Sequence, residues 1–500
     1  MKDILSKAEV VDVLPPEVLS KLSIKDHHIG KEVSPVDLLT PDRFDILADT
    51  IYAQCHLLGT AQDWAQSIYR ECKKILREEQ SDLCDGDSIV DNLHVFHDLV
   101  EKLKTGSFQQ EKNFIPVDPD DIIIDSGHQF AASLLCDQPI KAIQFDNYQP
   151  RYDYIFFLTH GLPEDMADAM ALTFTRLCPN MAVVVVFPIA SGKDDEIRSV
   201  LYEYGRIAYQ KEVRFTKYGQ YNLISLLYFN MHWIDPNGDI NYGVRHHVDH
   251  RFVDDNLVKF IFVIFDDPSQ ILEAKTRLRN LFDLKNFPVH INDTHDETIW
   301  IAEHILTPNS IYFMNHAQPW FSKKFMKKFQ VFSNEIKKQE LNKDNFCLTK
   351  NAMLAAYGLR DSRKIDYLIF EEPSTGNLPA GISCRLDQYA FSGCSMGDLI
   401  FDPRNYFYFR GMKFISPQLF SEIGFDQKVE NTTGDFRLIG SLEDESLRFA
   451  RFWRNFRFYV KISLVNIFHF DIGRLRKLTP KFLRKPLGKI YRTIFGSGKT

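Results

Sequence analysis

The sequence contains no C-x-x-C pair, no G-x-G-x-x-G and no G-x-x-x-x-G-K-[ST]. The last two absences disfavour a nicotinamide or P-loop nucleotide site. Phe495-Gly496-Ser497-Gly498-Lys499-Thr500 ends in GKT but lacks the preceding glycine pattern. The eight cysteines (Cys55, Cys72, Cys84, Cys136, Cys178, Cys347, Cys384, Cys394) are scattered over 500 residues. A disulfide scaffold would be short and dense in Cys, so reduced, mostly buried thiols are expected. Gly (24) and Pro (22) are too sparse for a collagen-like or low-complexity chain. No apolar stretch approaches the ~18 residues of a spanning helix, and the first residues, MKDIL, carry no signal-peptide core. The longest apolar run, 181–190 (MAVVVVFPIA), reads as a strand buried on both faces.

Apolar material is nevertheless plentiful. The chain is 44% hydrophobic with 41 Phe, enough for two or three cores at this length. Charge is uneven. The whole chain is −7, yet from residue 446 onward 14 Lys and Arg face one acid, Asp471. Arg448, Arg451, Arg454 and Arg457 alternate with Phe449, Phe452, Trp453, Phe456 and Phe458, and a second basic segment follows. Cations interleaved with Phe, Trp and Leu suit an interfacial helix on an anionic membrane surface. Nucleic acid is disfavoured, because no named nucleic-acid module is present.

Periodicity predicts an α/β fold: two α/β units with a helical N-terminal lead-in and a basic amphipathic C-terminal tail. The expected divisions are a lead-in at 1–110, an α/β domain at 111–235, a polar linker at 236–255, a second α/β domain at 256–445 and the tail at 446–500. Helices are expected at 45–57, 61–77 and 91–103, and again at about 163–177, 194–204, 269–284, 294–306 and 323–341. Short apolar runs stand at 121–124 and 142–145, and strands are expected at 152–159, 182–187, 208–215, 222–228, 258–265, 287–291, 310–315 and 364–370. Alternation of the two predicts a mainly parallel sheet.

Several clusters could carry chemistry. His246 and His250 are four apart and would share a helix face able to bind zinc, but beside Asn237-Gly238 the segment reads as polar loop. His290, Asp293 and His295 fall on a strand-to-helix loop, a common ligand position in open α/β sheets. Thr294 and Glu297 in the same loop fit a capping box. At Leu348–Ile369 a small polar turn, Thr349-Lys350-Asn351, opens a helix; Gly358 closes it and Asp366 follows on an apolar strand.

That arrangement resembles the nucleotidyltransferase superfamily, in which a Gly-Ser turn binds triphosphate and an Asp-x-Asp pair on the next strand binds Mg²⁺. Here Thr349-Lys350-Asn351 stands at the Gly-Ser position, and Lys364 occupies the first Asp position. With the segments at 289–317 and 397–414, the stretch 255–420 also resembles glycosyltransferase-like and nucleotidyltransferase-like proteins of bacterial capsule and lipopolysaccharide gene clusters. The resemblance implies a transferase of cell-surface polysaccharide biosynthesis, cytoplasmic and peripheral at the inner membrane face. Its donor would be a nucleotide or nucleotide-sugar, its acceptor a lipid-linked glycan, and Mg²⁺ a cofactor. Asp366 would bind metal, Asp366, Asp398 and Asp402 would be catalytic, and Lys350, Asn351, Arg360 and Arg363 would hold phosphate. The alternatives are a non-catalytic assembly or scaffold subunit of the same machinery, or a methyltransferase using the N-terminal α/β unit.

Overall fold

The computed structural model describes residues 2–79, 88–107, 113–148, 150–235, 240–253, 255–282, 284, 287–371, 382–383, 395–426, 439–440 and 442. The chain divides into compact units Met1–Val429 and Glu430–Thr500. The expected tail at 446–500 lies outside the described residues.

The fold is α/β, with helices and strands interspersed through three sheets. The first contains β1 (Lys2–Ser6), β2 (His27–Val33), β3 (Phe114–Val117) and β4 (Ile140–Gln144), in the order β1-β2-β4-β3. The lead-in is therefore not purely helical. Its strand β2 was hidden because HHIGKEV mixes polar and apolar residues, with only His28 and Gly30 buried. Helices Asp45–Leu58, Gln62–Glu79 and Ser88–Lys104 follow in sequence between β2 and β3. Their apolar stripes bury Ile51, Ile68, Cys72 and Phe96, as amphipathic helices require.

The second sheet contains β5 (Met181–Val186), β6 (Gly205–Arg214), β7 (Leu257–Phe265) and β8 (Val289–Ile291), in the order β6-β7-β5-β8. Every residue of β5 is buried, as its valine run predicts. All three pairings here are antiparallel, with Val184 opposite Ile261 on one side and Ile291 on the other. The expected mainly parallel sheet is not formed. The expected boundary at 236–255 is crossed, because β5 and β6 share this sheet with β7 and β8. Residues 111–235 likewise supply strands to two different sheets, so they do not build the single open sheet that a methyltransferase unit would need.

The third sheet contains β9 (Phe346–Thr349), β10 (Asp366–Ile369), β11 (Ile382–Ser383), β12 (Tyr406–Phe409) and β13 (Met412–Ile415), in the order β11-β10-β9-β13-β12. Arg410 and Gly411, both at positive φ, join β12 to β13. That is the backbone a two-residue hairpin demands. Much of the phenylalanine content packs here: Phe313 stacks on Phe407 at 4.5 Å, and Phe329 lies 5.6 Å from Phe414.

Three expected strands are helical. Residues 152–159 contain helix Tyr154–Thr159, whose start is fixed by Asp153 accepting from the Phe156 N–H at 2.8 Å. Residues 222–228 continue helix Lys217–Leu227, capped by Thr216. Residues 310–315 lie in Pro308–His316, with Pro at its first position. Short apolar runs fit either structure, and the cap decides between them. His246 and His250 also lie on a helix, Tyr242–Arg251, rather than in a loop. Among the described residues no helix is long and apolar enough to cross a membrane.

Candidate functional site

A cavity of about 440 Å³ is lined by residues from segments far apart in sequence. Helix Asp45–Leu58 supplies Gln54 and Cys55, and helix Gln62–Glu79 supplies Trp64. Helix Glu164–Leu177 contributes Asp165 and Arg176, and helix Pro308–His316 contributes Asn309. Asp344 enters just before β9, Tyr406 from β12, Lys413 from β13 and Glu422 from helix Pro417–Asp426. Three cations (Arg176, Arg404, Lys413) and three carboxylates (Asp165, Asp344, Glu422) share the wall with the amides of Gln54, Asn309, Asn405 and Gln418. The volume is in the range of small-molecule sites, with more polar groups than an apolar pocket would carry.

Lys413 is the unusual group. It stands between Met412 and Phe414 in a fully buried strand and is itself 4% exposed. Its Nζ donates to the carbonyls of Asp344 and Ile400, both at 3.1 Å. The Phe401 and Tyr406 rings lie 4.6 and 4.9 Å away. The nearest carboxylate, Asp344, is 4.0 Å away. Burial pulls the Lys413 amine down to about 8, and Asp344 offsets this only in part. For Asp344 burial raises the pKa, but Lys413, Arg176 and Lys343 outweigh it and hold the carboxyl below its ordinary value. Arg176 Nη2 donates to Tyr408 OH at 3.0 Å and to Glu303 Oε1 at 3.3 Å. Lys343 Nζ reaches the same Glu303 oxygen at 3.2 Å. The floor thus holds an ionised carboxylate, a guanidinium and an amine that burial pulls down to about 8. Such a set can bind phosphate or hydroxyl groups and accept a proton from a hydroxyl.

Of the residues singled out from sequence, Asp366, Asn351 and Arg360 come together, and the others lie elsewhere. Asp366 is 4% exposed, and its Oδ2 accepts from the Asn351 N–H at 3.1 Å and Nδ2 at 2.8 Å. The turn expected to bind phosphate therefore already holds a carboxylate of the chain itself. Arg360 donates to Asn351 Oδ1 at 2.6 Å, extending that chain, while Arg363 is exposed. Lys350, before helix Asn351–Ala356, sits at φ +45, a strained conformation for a side chain of its size. This turn and Asp344 lie at opposite ends of the four-residue strand β9, which at about 3.3 Å per residue spans about 10 Å between them. Asp366 does not fit the metal-ligand role, since its carboxylate holds a helix N-terminus. Among the described residues no cluster of three His, Cys, Asp or Glu could hold a metal ion.

Asp398 and Asp402 lie beside the cavity wall, close in the chain to its residues Phe401, Pro403 and Arg404. Asp398 caps helix Met396–Phe401 through Ser395, and its Oδ1 accepts from the Ala61 N–H at 2.9 Å. Asp402 is bound by Arg404, with Nη2 at 2.6 Å. The loop trio is also dispersed. His290 packs on Tyr228 at 5.1 Å between ring centroids, and burial holds its imidazole well below the usual pKa. Asp293 pairs with Lys275 at 2.8 Å, and His295 Nε2 lies 2.7 Å from the Thr175 carbonyl. Of the expected capping box one half forms as drawn: Thr294 Oγ1 accepts from the Glu297 N–H at 3.3 Å, but Glu297 Oε2 receives the Asp293 N–H, at 3.0 Å. His246 and His250 do share a helix face, ring centroids 4.1 Å apart.

Arg176, Asp344, Lys413, Asp165 and Trp64 escaped the sequence reading because they come from separate segments and form no local motif. One signal was visible: a lysine inside the apolar run Met412–Ile415. Charged residues are rarely fully buried without a specific partner, so such a lysine marks a special environment. No family model, curated protein or solved structure matches the chain.

Proposed function

We propose that the chain is a transferase of cell-surface polysaccharide assembly, acting on a nucleotide or nucleotide-sugar at the cytoplasmic face of the membrane. The observation that carries this reading is the floor of the 440 Å³ cavity, where Arg176, Lys413 and Asp344 meet. In it, Arg176 and Arg404 neutralise donor phosphate. Asp165, Gln54 and Asn309 take hydroxyl groups, and Trp64 offers a ring face to a base or sugar. Asp344, kept ionised by Lys413 and Arg176, accepts the proton of the acceptor hydroxyl as that oxygen bonds the transferred group; the bond from that group to the donor phosphate breaks, and Arg176 and Arg404 take the charge of the departing phosphate. The acceptor is a lipid-linked glycan, held near the enzyme by the basic segment at 446–500. No step is assigned to Mg²⁺ at Asp366, because that carboxylate is engaged at a helix N-terminus.

The test is a thermal-shift screen of the full chain against nucleotides, nucleotide-sugars and S-adenosylmethionine, with and without Mg²⁺. A ligand that binds only the folded state stabilises it by about 2.7 kcal/mol at a hundredfold excess over Kd. One nucleotide-sugar should raise the melting temperature, and Arg176→Gln should remove most of that rise. A shift with S-adenosylmethionine alone would replace the transferase reading. Absence of any donor shift would favour the non-catalytic assembly role. That second reading has its own support: Asp366 fills the turn in which the resemblance places phosphate.

A further inference from the structure

Helix Lys323–Lys338 separates its residues sharply. Phe325, Met326, Phe329, Phe332 and Ile336 are buried, whereas Lys323, Lys324, Lys327, Lys328, Lys337 and Lys338 are exposed. Four of these lysines fall in the first six residues. The partial positive charge of a helix N-terminus opposes them there, and the first turn of this helix contains no acidic residue. The end is capped from outside instead. Asp361 accepts from the backbone N–H of Lys324 at 3.2 Å and of Phe325 at 3.0 Å. That cap holds a loop with exposed Arg360, Arg363 and Lys364 against the same end of the helix. Lys324, Lys327, Lys328, Lys337, Lys338, Arg363 and Lys364 have no ion-pair partner among the described residues. Charge placed against the helix dipole, with no partner inside the fold, points to a partner outside it.

We propose that this face docks electrostatically on an anionic lipid surface. Nine cations stand there against three carboxylates, Glu335, Glu340 and Asp361, and lysines dominate. The large hydrophobic side chain exposed on this helix, among the described residues, is aliphatic, Val331 at 58%. Single-stranded nucleic-acid grooves interleave cations with exposed aromatic platforms, but the three Phe of this helix face the core. The apolar stripe is already used by the fold, so the helix lies on the headgroups rather than inserting as an interfacial helix does. Its residues are other than those of the basic segment at 446–500, and none of its cations lines the cavity.

The test is co-sedimentation of the full chain with vesicles of phosphatidylcholine and phosphatidylglycerol mixed about two to one, at about 0.1 M salt, where charges are felt over about 10 Å. Each lysine near an anionic leaflet contributes about fivefold in partitioning. The variant Lys324→Gln/Lys327→Gln/Lys328→Gln should therefore lower the partition coefficient about a hundredfold. The charge-matched variant Lys7→Gln/Lys102→Gln/Lys104→Gln, on exposed sites elsewhere, should leave it near that of the native chain. Equal losses in both variants would reduce the effect to net charge and overturn the proposal, as would unchanged binding in the first. The proposal also fails if the first variant loses binding to a single-stranded oligonucleotide while its vesicle binding is unchanged.

Discussion

Two groups of buried charge in this chain are built in opposite ways. Near the N-terminus, Arg43 holds both oxygens of Asp45, at 2.9 and 2.8 Å, and Lys73 holds both oxygens of Asp49, at 2.8 and 3.0 Å. Burial alone would pull both cations down, but their carboxylates outweigh it and raise them. Around the cavity the pairing is uneven. Arg176 and Lys343 share Glu303, and Lys413 comes no closer than 4.0 Å to Asp344. There burial wins, and the amine falls to about 8. Buried ions matched one to one are costly to break and lock the structure around them. An under-matched one keeps part of its desolvation cost, which an incoming group can relieve.

The largest effect should come from breaking a matched pair. Arg43→Met leaves the Asp45 carboxylate buried without its partner, and urea denaturation should show a loss of about 3–5 kcal/mol. Burial raises the Asp45 pKa, but Arg43 and Lys73 hold it below 3.8 overall. Its contribution is therefore present above about pH 4 and lost as the pH falls further, and Arg43→Met should flatten that acid limb. A next, smaller effect tests the unmatched site. The folded pKa of Lys413 lies below its ordinary 10.5, so between about pH 8 and 10.5 the unfolded chain binds the extra proton. Native stability should then rise with pH relative to Lys413→Met, by about 3 kcal/mol across that window. A constant difference between the two chains over this range would show that the amine is solvated and the contrast between clusters is false.

How much of this was legible follows from the range of each signal. The α/β class, strand β5 and helix Gln62–Glu79 announce themselves within a few residues, through a valine run and a 3.6-residue stripe. Helix Pro308–His316 does not, because SIYFMN suits either structure and only Pro308 at its first position marks a helix start. Asp398 looked like a catalytic carboxylate on an apolar segment. The same residues, Ser395-Met396-Gly397-Asp398, also spell a capping box, and the structure uses them so. Sheet order was out of reach: β7 returns to pair with β5 across a helix that read as a linker. The cavity shares that difficulty, since Trp64, Arg176, Asp344 and Lys413 come from four segments far apart in sequence.

A third effect, about 1–3 kcal/mol, should follow Gly411→Ala in the hairpin that carries Lys413. Gly411 has φ +73, and a Cβ there would stand 2.7 Å from the Trp300 ring. If the cavity floor depends on this hairpin, the variant should weaken the donor-induced thermal shift more than its own stability loss explains. The smallest effect should be at the matched cluster. Gly127 begins helix Gly127–Leu135, and a Cβ there would sit 3.4 Å from Asp49 Oδ2 and 3.7 Å from Arg43 Nη2, ordinary contact distances. Gly127→Ala gains helix propensity, up to about 1 kcal/mol in a helix interior and less at a first position. It also sets a methyl against two charged side chains, which opposes that gain. Calorimetry should find the two nearly cancelled, within about 0.5 kcal/mol, if every charge there already has its partner. A larger loss, or a donor-induced shift abolished by this methyl and untouched by Arg176→Gln, would move the binding site from the unmatched cluster to the matched one.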